Sequence, residues 1–92
     1  MKVLIREAAL ADLEAIFVWI AKDSPVAAAK VVEFILTAIE RLAVLPDAGR
    51  KGKVHGTLER VVSKLPYVIV YKLDRSTDTI QVIGVVHGSR ER

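Results

Sequence analysis

The stretch Gly49–Tyr71, GRKGKVHGTLERVVSKLPYVIVY, decides how the rest of this chain is read. It opens as a basic, glycine-punctuated segment and turns into a strand over 57–64. A tight connection at Leu65-Pro66 leads to the most β-prone run in the sequence, 67–73. Arg50, Lys51, Lys53, Arg60 and Lys64 bring five cations to this segment, opposed by Glu59 alone. If the protein has a working surface, this is where the sequence places it.

Outward toward the N-terminus the pattern is helical. KVLIR at 2–6 reads as a first strand, and from Ala8 the period changes. Leu10, Leu13, Phe17 and Ile20, widened by Ile16, form the apolar face of a helix ending near Lys22, with Phe17 and Trp19 expected in the core. Asp23-Ser24-Pro25 breaks the pattern. Ser24 is placed as N-cap and Pro25 as first residue of a second helix, where its missing N–H costs nothing. Its stripe is Ala28, Val32, Ile35, Leu36, Ile39, Leu42 and Ala43, and Pro46 with Gly49 ends it. The short connection predicts an antiparallel helical hairpin.

Residues 46–56 carry too many breakers for helix or regular strand. Strands are expected at 57–64, 67–73 and 79–87, the last two joined by the polar turn Asp74–Asp78. Run 67–73 is apolar on both parities, as a central strand covered on both faces would be; Tyr67 and Tyr71 read as core or interface. The order β-α-α-β-β-β predicts an α+β domain, a helical hairpin packed on a mainly antiparallel four-stranded sheet. The 92 residues form a single domain, 1–92, with 52% hydrophobic and 27% charged residues, a globular composition.

Composition narrows the chemistry. Without cysteine there is no disulfide, thiolate metal site or cysteine nucleophile, in keeping with a reducing cytoplasm. Glu7, Asp12 and Glu14 interrupt the N-terminal apolar run, so no signal peptide is read, and no apolar stretch reaches the ~18 residues of a membrane span. Residues 1–48 hold five Lys/Arg against seven Asp/Glu, net −2, and residues 49–92 nine against four, net +5. A basic half fits an anionic partner, nucleic acid or acidic protein, or else an ordinary solvated face. Nucleophile elbow, phosphate loop, dinucleotide fingerprint and paired-histidine zinc motif are all absent, so neither cofactor nor metal is expected.

His87, followed by Gly88, Ser89 and Arg90, is the most interesting titratable group. An imidazole beside a guanidinium can transfer a proton and stabilise phosphate charge; it can equally be a strand-end residue making a local hydrogen bond. His55 has the same two readings. Arg60 and Lys64 fall on one strand parity, a geometry that suits phosphate contacts or a charged edge strand.

With these residues placed, the sequence resembles toxins of the RelE/ParE superfamily over nearly its whole length. The resemblance rests on A-x-x-D-L-x-x-I (Ala9, Asp12, Leu13, Ile16), S-P-x-x-A (Ser24, Pro25, Ala28) and L-x-x-x-P-x-x-G-R (Leu42, Pro46, Gly49, Arg50). It continues through G-T-x-E, L-P-Y-x-I-x-Y and the closing V-x-H-G-x-R (Val85, His87, Gly88, Arg90). It implies an intracellular type II toxin neutralised by an antitoxin whose extended C-terminal segment wraps around it in a hetero-oligomer. The target is either DNA gyrase, poisoned without catalysis as by ParE-like members, or mRNA in the ribosome, cut as by RelE-like members. On the second reading Arg60, His87 and Arg90 are the catalytic residues, and Arg50, Lys51, Lys53 and Lys64 bind the target on either. The RelE-type sheet cations would fall at Glu59, Val61 and Val68, and no tyrosine follows Arg90 in the closing R-E-R; the reading therefore leans to the gyrase poison. A degenerate, non-toxic member that still binds antitoxin is the remaining alternative.

Overall fold

The computed structural model describes residues 1–88. In chain order they form β1 (Lys2–Ile5), α1 (Glu7–Ala21), α2 (Pro25–Arg41), β2 (Arg50–Lys51), β3 (Leu58–Val61), β4 (Tyr67–Asp74) and β5 (Thr79–His87). The strands lie in one sheet of order β1-β5-β4-β3-β2, with β1 parallel to β5 and every other pair antiparallel. The expected α+β architecture is what forms, with five strands in place of four. The additional one is the two-residue β2, in a segment whose breakers read as loop; Gly52 N–H donates to Thr57 O at 2.8 Å and closes a short hairpin around it.

Local signals in the sequence explain most boundaries. Ser24 Oγ accepts from Ala27 N–H at 3.1 Å, and Pro25 occupies the first turn of α2. Glu7 sits in the first turn of α1, at the positive end of the helix dipole. At the β4–β5 turn, Asp74 Oδ1 accepts from the Ser76 amide and hydroxyl and from the Thr77 amide. The Ser76 hydroxyl first, with the two amides, holds the Asp74 carboxyl below its ordinary range.

β3 is shorter than expected. It ends at Val61, and the chain turns through Val62–Pro66 with Lys64 in the left-handed region at φ 66°. Val62 N–H donates to Tyr67 O at 2.9 Å across that turn. Lys64 therefore does not share a strand face with Arg60, a correction to the expected pairing. The turn is set by that cross-connection, which strand parity cannot reveal.

The core lies between the hairpin and one face of the sheet. Ile35, Ile39 and Leu42 of the second helical segment meet Ile69, Tyr71, Ile80 and Val82, all at most 2% exposed. Each aliphatic side chain buried this way contributes about 1.5–3 kcal/mol. Tyr67, Ile69 and Tyr71 join that core, whereas Val68 is buried on the alternate parity and Val61, beside it on β3, is 52% exposed. β4 is thus the central strand, with complete cover on one side only.

α1 is rotated from its expected setting. Ala9 and Leu13 are buried and Ile16 and Ile20 half-buried, but Leu10 is 53% and Trp19 69% exposed, and Phe17 also faces outward. The expectation that Phe17 and Trp19 are core residues is therefore corrected. The helix is apolar nearly all round, so periodicity alone does not choose its inward face. A polar contact does. β1 ends at Ile5, opposite Val82, and beyond it Asp12 Oδ2 accepts from Val85 N–H at 2.9 Å, next to a register shift in the β4–β5 ladder. Gly84 lies beside this contact, where a Cβ would meet Asp12 Oδ2 at an ordinary van der Waals distance of 3.4 Å.

Replacing Asp12 with Ala should leave that amide unsatisfied and lower stability by about 1–3 kcal/mol. Asp12→Asn, which keeps an acceptor, should recover most of it. Urea unfolding together with hydrogen exchange at the Val85 amide checks both; unchanged Val85 protection in Asp12→Ala would refute the role.

Candidate functional site

The basic segment after α2 is held by two residues of the sheet. Tyr71, fully buried in β4, donates its hydroxyl to Pro46 O at 2.9 Å and accepts from Gly49 N–H at 3.0 Å. One phenol thus ties both ends of the helix exit. Burial raises its pKa, and the Gly49 amide and the Arg60 charge oppose that rise. Gly49 is required by the closeness: a Cβ would lie 2.5 Å from the Tyr71 hydroxyl and 2.9 Å from Glu59 O.

Glu59 is the second anchor. It is only 6% exposed, and its carboxylate accepts from Arg50 Nη2 at 3.3 Å and from the Lys53 amide at 3.3 Å. The desolvated carboxylate is offset by a guanidinium and a backbone donor. Arg50 and Glu59 are also directly paired across β2 and β3. Lys51 and Lys53 line a shallow surface groove with His55 and Leu73. Three of the expected cationic positions, Arg50, Lys51 and Lys53, therefore border one corner of the sheet, while Arg60 and Lys64 line a separate groove against α2.

Arg60 and His87 take different places. Arg60 is opposite Ile69 and His87 opposite Tyr67, so both lie on the helix-facing parity with β4 between them. Arg60 Nη1 donates to Ala48 O at 3.1 Å and borders a groove of about 510 Å³ between α2 and the end of β3. The His87 ring meets Tyr67 edge to face at 5.5 Å and borders a second groove, of about 530 Å³, against α1 residues Ile16 and Trp19. The fold does not bring the two into one pocket. Arg90, the third expected catalytic residue, lies outside the described residues.

Sequence reasoning overlooked the Tyr71 hydroxyl and the Asp12 carboxylate as organising groups. Both sit inside quoted motifs, L-P-Y-x-I-x-Y and A-x-x-D-L, where a polar atom among apolar neighbours was the available signal. The outward Trp19 carried none. Its ring is stacked by Lys22, whose Nζ lies 5.1 Å from the ring centroid, a contact on the helix surface.

Two helices packed on one face of a mixed sheet, with a basic corner pinned by a buried tyrosine, define a small α+β domain. A family model for the ParE toxin of type II toxin–antitoxin systems, parDE, matches residues 3–92. The chain is 39% identical over 83 residues to Y4kP of Sinorhizobium fredii, covering 90% of this chain and 83% of that protein. It is 35% identical over 82 residues to Toxin RelE2 of Caulobacter vibrioides, 89% of each. Among solved structures it superposes on a chain of the chromosomal ParDE system from P. aeruginosa with a TM-score of 0.83 (23% identity, 95% of each chain). A chain of the RelBE2 toxin–antitoxin complex from Mycobacterium tuberculosis gives 0.56 (23% identity, 94% of this chain and 95% of that one). The chain belongs to the ParE toxin family, within the RelE/ParE group of type II toxins. Among the described residues no helix is long and apolar enough to cross a membrane.

Tyr71→Phe should cost about 1–3 kcal/mol by unpairing Pro46 O and the Gly49 amide. Because the folded state holds the phenol's proton more tightly, this part of the stability is present below the ordinary phenol value of about 10 and is lost as pH rises through the raised one. The stability gap between wild type and Tyr71→Phe should therefore narrow above pH ~10. Denaturant titrations at pH 8 and in that alkaline range measure it; a constant gap would contradict the assignment.

Proposed function

We propose that this toxin is held in check by a cognate antitoxin in a hetero-oligomer, and that it arrests growth as a non-catalytic poison of DNA gyrase. One observation carries the preference for gyrase over RNA cleavage. Arg60 and His87, the described candidates for stabilising phosphate charge and moving a proton, border separate grooves, and Arg60 is engaged by Ala48 O. RNA cleavage by 2′-hydroxyl attack needs such groups to converge on one phosphate within hydrogen-bond reach. Poisoning by binding needs only a complementary surface. The corner formed by Arg50, Lys51 and Lys53, with Lys64 on the neighbouring turn, offers positive charge for an anionic target.

A second reading has its own support: the 35% identity to a protein named Toxin RelE2. On it, Arg60, His87 and Arg90 form a ribosome-dependent endoribonuclease site, completed when mRNA and ribosome are bound.

Both readings meet in one experiment. Expression without antitoxin, followed over minutes by thymidine and methionine incorporation, should show DNA synthesis failing first, and the purified chain should trap gyrase–DNA cleavage complexes. His87→Ala and Arg90→Ala should stay toxic. Methionine incorporation failing first, with both variants harmless, would replace the gyrase reading by the ribonuclease one. Undisturbed growth would mark a non-toxic member.

A further inference from the structure

The loop between β2 and β3 carries a groove of about 520 Å³, lined by the exposed side chains of Lys51, Lys53 and His55 with Leu73 as an apolar wall. Its charge sets it apart. The groove against α2 has Glu33 at its rim and the one at His87 has Asp12, but no carboxylate stands among the described residues lining this one. The loop is ordered by its own backbone. Gly52 N–H donates to Thr57 O at 2.8 Å, and the Thr57 hydroxyl and amide both donate to Val54 O, at 2.6 and 3.1 Å. Gly56 turns the chain in the left-handed region at φ 83°. A Cβ at Gly52 would collide with Thr57 Oγ1, whereas at Gly56 it would meet nothing within 4 Å, so the loop is closed inward and open outward. A backbone already closed has little left to order when its cations meet a ligand.

We infer that this groove seats the phosphate backbone of double-stranded DNA, with Lys51 and Lys53 each meeting a phosphate and His55 beside them as a hydrogen-bond donor. The lining chooses a duplex over a single strand. His55 is the single ring among the described residues that line the groove, and single strands are held by several rings on which successive bases stack. Contacts confined to phosphates suit a ligand whose bases are already paired and stacked away. Such a site reads no sequence, and its affinity falls with salt as counterions are released. A toxin that grips DNA as well as the enzyme helps hold a gyrase–DNA complex together. The inference deepens the gyrase reading and rests on it for the source of the DNA, though not for the groove's chemistry.

Two arms test it. In the first, the purified chain is titrated by fluorescence anisotropy with a labelled DNA duplex of about 20 base pairs and with a single-stranded RNA of equal length, between about 50 and 200 mM salt. The duplex should bind tighter than the RNA. The slope of log K against log salt should flatten by about 0.9 in each of Lys51→Gln and Lys53→Gln, and the double variant should bind duplex at least about tenfold more weakly at low salt. Lys30→Gln, at an exposed position on α2, should leave the slope unchanged, and all variants should keep the wild-type thermal midpoint. Absence of duplex binding, or duplex binding whose slope is the same in wild type and both variants, overturns the inference. So does tighter binding of the RNA that is lost in the same variants, which would give the groove to RNA.

In the second arm, the purified chain is added to gyrase and supercoiled DNA. The Lys51→Gln/Lys53→Gln variant should trap fewer cleavage complexes than wild type while binding gyrase equally well in the absence of DNA. Equal trapping by the double variant refutes a part for the groove in poisoning while the gyrase reading stands. If the wild-type chain traps no complex, the gyrase reading fails, and the anisotropy arm still decides the groove.

Discussion

The contact on which this surface depends is the Tyr71 hydroxyl, buried under the helical hairpin and shared between Pro46 O and Gly49 N–H. Tyr71 stands on the central strand, the part of the sheet with neighbours on both sides and the core above it. A hydroxyl fixed there transmits the rigidity of the core to a chain segment rich in glycine and cations, which has little apolar surface to order itself. Everything that follows, the two-residue β2, the Arg50–Glu59 pair and the position of Arg60 under Ala48 O, begins from the place where that phenol sets the chain down.

Asp12 plays the corresponding part for α1. Where β1 stops, β5 loses a neighbour, and the Val85 amide takes a carboxylate from the passing helix instead. The consequence reaches the opposite side of the helix. With Asp12 turned inward, Leu10 and Val18 turn out, so a polar requirement of the sheet leaves apolar area on the surface. The chain, a member of the ParE toxin family of type II toxin–antitoxin systems, carries this area on its exposed surface.

Charge is organised in two different ways. Around Glu59 the Arg50 guanidinium and the Lys53 backbone amide meet a nearly buried carboxylate and hold the loop. Around the groove at α2 and β3 they stand at an apolar rim with one acid among them. The first arrangement stabilises the toxin's own chain; the second leaves positive charge on the surface. Net charge alone does not separate these uses, since both contribute to the same basic half of the sequence.

The element types and their order were legible from period and punctuation. Ser24-Pro25, the Asp74–Asp78 turn and the doubly apolar run at Tyr67 act over a few residues, and local chemistry is enough to determine what they form. Tertiary structure alone decided the inward face of α1, because a helix apolar all round has no preferred side until Val85 asks for an acceptor. It also decided that Arg50–Lys51 would pair as a fifth strand, and that Lys64 would leave the strand Arg60 occupies. Finally it parted Arg60 from His87. Sequence put both on functional ground; which groove each borders follows from strand order and from β4 lying between them, a long-range relation that spacing along the chain does not encode.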